Sequence, residues 1–116
     1  MLTTALLTLT LTAGSDLRMT LSTVADATAC EAARESVTSV LTDAGIEIVA
    51  ARCGVTDLRL TPFEHGAGPE AEIHRYRVDL SDPQGFAVTP LGVDGRCIAD
   101  APPVYCARSS QSVITD

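Results

Sequence analysis

The chain has 116 residues, 15 acidic and 8 basic side chains and a net charge of −7, and every basic residue is an arginine. An acidic balance of that size excludes a nucleic-acid binder driven by phosphate contacts and argues against docking on an anionic membrane surface, because both need a basic face. The length matches the usual single-domain size of ~100–150 residues, and an apolar fraction of 46% is that of a globular chain rather than a disordered one.

Met1–Ser15 carries no charged side chain and is rich in leucine. Its apolar run is too short for a membrane span of ~20 residues. Ala13-Gly14-Ser15 fits the small-x-small pattern ahead of a signal-peptidase cut, with Asp16 as the first charge. On this reading residues 1–15 are a signal peptide, 16–108 one domain and 109–116 a mobile tail. The objection is that no Lys or Arg precedes the apolar run. Leu7-Thr8-Leu9-Thr10-Leu11-Thr12 also alternates with period two, as a half-buried strand does. Leu17-Arg18-Met19-Thr20-Leu21-Ser22 repeats the alternation beyond an Ala-Gly-Ser-Asp turn, which makes the pair a candidate hairpin. A start at Met19 is a third reading and gives a cytoplasmic protein.

The segment 26–45 is the clearest helix. Thr28 with Glu31 forms a capping box, Asp26 is a rival N-cap, and Gly45 suits the position just past the end. Cys30, Ala33, Val37, Val40, Leu41 and Ala44 recur at helical spacing as the expected buried stripe. Ile46–Cys53 follows as a strand rich in β-branched residues.

These two elements predict a disulfide. From Cys30 to Ala44 the helix climbs roughly 21 Å at ~1.5 Å per residue. From Ile46 to Cys53 the strand returns roughly 23 Å at ~3.3 Å per residue. Cys53 therefore arrives level with Cys30, within reach of a bridge. Cys97 and Cys106 form the second expected pair. No C-x-x-C motif is present and the spacings match no common zinc module, so neither a redox pair nor a cysteine metal site is expected.

Val55–Phe63 alternates and reads as a further strand ended by Pro62. Residues 64–70 form a Gly/Pro loop. Glu72–Leu80 is a long strand with His74, Tyr76, Val78 and Leu80 on one face and Ile73, Arg75, Arg77 and Asp79 on the other. Ser81–Gly85 is a turn leading into a strand with Phe86 and Val88, which closes an antiparallel hairpin. The predicted fold is α+β: one N-terminal helix packed on a mostly antiparallel sheet of four to six short strands, stapled by two disulfides. The strands flanking the helix should be parallel, adjacent or separated by one inserted strand.

Candidate sites are sparse. Arg75 and Arg77 on one strand face, with Arg59 from a neighbouring strand, could contact an anion or a partner, since guanidinium pairs carboxylate or phosphate bidentately; cross-strand pairing with Asp57, Asp79 or Glu72 is the plainer role. His65 and His74 with nearby glutamates are weak metal candidates, lacking a spacing that fixes them. No G-x-S-x-G elbow, G-x-G-x-x-G or P-loop is present, so no catalytic residue and no cofactor is expected. The Ala-Cys-Glu-Ala-Ala-Arg helix followed by a strand ending Ala-Arg-Cys resembles small exported bacterial proteins, and the Ala/Arg/Asp/Thr-rich, lysine-free composition fits a GC-rich bacterial genome. The expected function is a periplasmic or secreted, disulfide-stapled, non-catalytic binding or accessory module. A protein partner is compatible with that, nucleic acid is not, and no membrane span remains after leader removal. The alternatives are a cytoplasmic subunit of a larger assembly, such as a phage-like particle, with reduced cysteines, and a divalent-metal-binding protein.

Overall fold

The computed structural model describes residues 2–11, 17–62, 72–83, 85–93, 95–98 and 102–114. The elements run β1 (Thr3–Leu11), β2 (Leu17–Val24), α1 (Ala27–Asp43), β3 (Ile48–Thr56), β4 (His74–Asp79), β5 (Ala87–Gly92) and β6 (Val104–Ser109). They form one six-stranded sheet in the order β3-β1-β2-β6-β4-β5. Only β2 and β6 pair in parallel. The α+β layering, with one helix on a mostly antiparallel sheet, is therefore as expected. β2 and β3 flank the helix and are separated by the inserted β1, which is antiparallel to both.

The alternation in the first segment is that of a strand. β1 lies between β3 and β2, with Leu7 opposite Leu21, Thr8 opposite Thr20 and Leu9 opposite Met19. Ala5, Leu7, Leu9 and Met19 are fully buried and join Leu21, Tyr76, Val78, Leu80 and Ala107 in one core. Cleavage after Ser15 would remove this strand and its share of the core, so the leader and β1 are competing roles for the same residues.

The sheet curls, which brings its β3 edge to the turn after β4. The Arg52 guanidinium donates through Nη1 to the backbone oxygens of Leu80, Asp82 and Gly85 at 2.9, 3.0 and 3.2 Å. One side chain thereby satisfies three turn carbonyls with charge-assisted bonds. Beside it the backbones approach closely. A Cβ on Gly54 would lie 2.9 Å from Phe86 Cε2 and 3.2 Å from Gly85 Cα, so the closure has room only for glycine. Tyr76, Val78 and Leu80 face inward from β4 as their alternation predicts. Arg75, Arg77 and Asp79 face outward.

Two sequence expectations change. Val55–Phe63 is not a separate strand: β3 runs on to Thr56, and beyond it only Leu60 bridges, to Val113; Phe63 lies outside the described residues. The chain end, expected to be loose from residue 109, is tied down as far as Ile114. Ser109 and Gln111 are buried, and Thr61 N–H donates to Ser112 O and Ile114 N–H to Arg59 O, both at 2.9 Å. A polar composition here serves buried hydrogen bonds rather than solvent.

Gln111 is the centre of that arrangement. Among the described residues no strand lies beside the β2 edge beyond Arg18, because β2 pairs with β6 only at Leu17 and Arg18. The Gln111 side-chain amide takes the place of a strand: Leu21 N–H donates to its Oε1 at 2.9 Å, while its Nε2 donates to Leu21 O at 3.0 Å and Thr61 O at 2.7 Å. The Tyr76 hydroxyl donates to Gln111 O at 2.6 Å. Burial pushes the Tyr76 phenol up to about 12, above the ~10 of an unfolded chain. The unfolded chain therefore releases this proton first. Stability from this source is intact below pH ~10 and falls as pH rises towards about 12. Tyr76→Phe is expected to cost about 1 kcal/mol at neutral pH and to flatten that alkaline loss, as read from denaturant midpoints at pH 7 and above pH 10.

Candidate ligand cleft

The helix packs on the sheet in an unusual way, and the cause is β1. Strand alternation sends the leucines of β1 to the core and Leu6, Thr8 and Thr10 to the opposite face. Their partners on that face are Ser22, Thr20 and Arg18 of β2. On that face Cys53 and Ala51 of β3 stand opposite Leu6 and Thr8, and the hydroxyls of β1 and β2 continue the surface beyond the helix. The helix sits above β3 and β1 and barely reaches β2. Asp26, not Thr28, is its N-cap, accepting from Ala29 N–H at 2.8 Å. Gly45, at φ +76°, follows its last turn.

The helix is pinned at one end. Cys30, its one buried residue, is bonded to Cys53 of β3, with a Cα separation of 6.1 Å. Cys97–Cys106 is also formed, with 5.8 Å between Cα atoms. Both bridges are those expected from the sequence. The expected stripe, however, is buried only in part. Ala33, Val37 and Leu41 are half-buried, Ala44 is exposed, and Val40 is 63% exposed. Val40 is ten residues from Cys30, which at ~100° per residue places it roughly 80° round the helix. It stands on the flank, facing the uncovered part of the sheet.

Between that flank and the sheet lies a cleft of about 720 Å³. Val37, Val40, Leu41 and Ile46 form one wall, and Leu58, Leu60 and Pro62 the other. Leu6, Thr8, Thr10 and Thr20 make the floor, and Arg18 also lines it. Arg18 Nε donates to Glu72 Oε1, so the cation at the cleft is already paired with a buried carboxylate. The volume falls within the ~300–1,000 Å³ of small-molecule sites, which are typically apolar with a few convergent polar groups. Two apolar walls, a hydroxyl floor and one arginine have that composition.

The sequence-derived candidates lie elsewhere. Arg75 and Arg77 stand on the outer face of β4, where Arg75 is opposite Arg108 of β6 and Arg77 is opposite Cys106. Arg59 is not on a strand beside β4. It belongs to the 57–62 segment that meets the chain end. Arg108 and Arg18 are the neighbours that strand order brings in instead, and only the sheet register could have named them. Asp79 is held below the usual carboxylate range by hydrogen bonds from the Ser81 hydroxyl and backbone N–H, with Arg77 nearby. His74 opens β4 opposite Ser109, and His65 lies outside the described residues. Among the described residues no group of three His, Cys, Asp or Glu side chains converges to hold a metal ion, and no helix is long and apolar enough to cross a membrane. The chain matches no protein-family model, no curated protein and no solved structure. It is a small two-disulfide α+β domain.

Proposed function

We infer that this protein is an exported, non-catalytic binding module, periplasmic or secreted, and that the cleft between α1 and the sheet takes a small, mainly apolar molecule. The observation that carries the reading is the composition of the cleft: aliphatic walls on two sides of a threonine floor, in a protein whose close-packed core lies on the other face of the same strands. Burying aliphatic surface contributes ~25 cal/mol per Å², and the hydroxyls offer a ligand one or two orienting hydrogen bonds. The two disulfides support export, because such bonds form and persist in oxidising compartments. The working protein, on this account, keeps Thr3–Leu11, since β1 supplies both the core leucines and the cleft floor.

The test is a titration of the oxidised protein with N-phenyl-1-naphthylamine, a neutral apolar fluorophore. Saturable one-to-one binding is expected, and Val40→Glu should weaken it at least tenfold, or about 1.4 kcal/mol. Val40 is exposed, so the substitution leaves the core intact. Equal binding by wild type and Val40→Glu, at unchanged melting temperature, would remove the cleft as the site.

A further inference from the structure

We propose that the outer face of β4 and β6, continuous through Arg18 with the sheet face that floors the cleft, is a second contact surface that receives an acidic peptide segment of a partner protein. The observation is a row of arginines set by register. Arg75 on β4 is directly opposite Arg108 on β6, and Arg108 is in turn opposite Arg18 on β2. Arg77 follows two residues along β4 on the same face. Half of the eight basic residues of an acidic chain thus share one face across three adjacent strands.

Like charges directly opposite one another oppose sheet pairing, so this row works against the fold unless something answers it. Glu72 answers part of it: its carboxylate accepts from Arg18, and its backbone oxygen accepts from Arg108 Nε at 3.1 Å. Among the described residues Arg75 reaches Gly95 O alone, at 3.5 Å. Among the described residues neither Arg75 nor Arg77 is in an ion pair, and Asp79, whose carboxylate Arg77 influences, is hydrogen-bonded to Ser81. Arg75 and Arg77 are therefore the pair available to a ligand, with Arg108 beside them.

The spacing favours a peptide. Arg75 and Arg77 are about 7 Å apart along the strand. Carboxylates on alternate residues of an extended peptide have the same repeat, so a strand-like acidic segment lying along β4 presents one carboxylate to each guanidinium. Arginine recognises carboxylate through two parallel hydrogen bonds, and the sheet holds both side-chain origins rigidly. An acidic partner is one that a chain of net charge −7 would otherwise repel, which makes the arginine face the point at which its approach is possible.

Calorimetric titration of the full oxidised chain with an acetylated Glu-Thr repeat octapeptide at low salt tests this. Binding is expected, with affinity falling at least tenfold between 20 and 200 mM NaCl and at least tenfold in the Arg75→Gln/Arg77→Gln variant. Arg34→Gln, on the helix and paired with Glu31, should leave affinity unchanged. Absence of binding, equal binding by the Arg75→Gln/Arg77→Gln variant, or an equal response to inorganic phosphate or to anionic vesicles alone would overturn the proposal. The naphthylamine titration of the cleft is expected to be unaffected by the Arg75→Gln/Arg77→Gln variant, so failure here and failure of the cleft reading are separable.

Discussion

Replacing Cys30 and Cys53 together by alanine is expected to lower stability by about 3 kcal/mol, the larger effect of the two bridges. Chain-entropy arithmetic for a separation of 23 residues gives about 3.4 kcal/mol, against about 2.6 kcal/mol for the separation of 9 at Cys97–Cys106. The loss should also be localised. Cys30 is the one buried residue of α1, and the helix otherwise touches the sheet with half-buried Ala33, Val37 and Leu41. Without the bridge little holds its N-terminal half in place. Hydrogen exchange of the Cys30→Ala/Cys53→Ala variant should show α1 losing protection first, while the β4–β5 hairpin keeps most of its own. A uniform loss across helix and hairpin would mean that the helix is held by packing rather than by the bridge.

Gln111→Ala is expected to cost about 3–5 kcal/mol, as much as a large core truncation. The substitution leaves three backbone groups without partners, Leu21 N–H, Leu21 C=O and Thr61 C=O. Each orphaned buried group costs about 1–3 kcal/mol, with the sum less than additive. The loss would propagate, because the Gln111 side chain ties Leu21 of β2 to Thr61, in the segment that forms the far wall of the cleft. Denaturant unfolding measures it. A loss under 1 kcal/mol would show that water replaces the amide and that Gln111 does not close the β2 edge. Gln111→Glu, which keeps an acceptor but loses both donors when ionised, should be no better at neutral pH and should recover part of the loss in acid, where the protonated carboxyl can donate once.

These residues separate what local pattern can reveal from what it cannot. The helix, both disulfides and the inward face of β4 were legible because each depends on spacing within one or two consecutive elements. Fourteen helical residues up and seven strand residues back bring Cys53 to Cys30 whatever the rest of the chain does. The strand β1 was legible as an alternation, though its charge-free, leucine-rich run equally fits a leader, and its place between β2 and β3 depends on pairing that local pattern does not carry. Gln111 had no signature, since a side-chain amide standing in for a strand is defined by a partner 90 residues away. The arginine row is of the same kind. Arg75 and Arg77 were visible on one strand, but Arg108 and Arg18 joined them through sheet order, and Arg59 was displaced by it. The cleft was the least legible feature. It arises because the helix leaves a threonine face of the sheet uncovered and is tethered at one end, a consequence of long-range layering that periodicity within α1 could not convey.

The most direct test of the ligand cleft is methyl-resolved NMR of the oxidised protein titrated with N-phenyl-1-naphthylamine. Shifts are expected in the methyl groups of Thr8, Thr10, Thr20, Val37, Val40, Leu41, Leu58 and Leu60, with Leu7, Leu9, Met19 and Val78 of the core unmoved. Shifts centred on the core, or on the exposed Ile73, Val93 and Ile98 with the cleft silent, would contradict it.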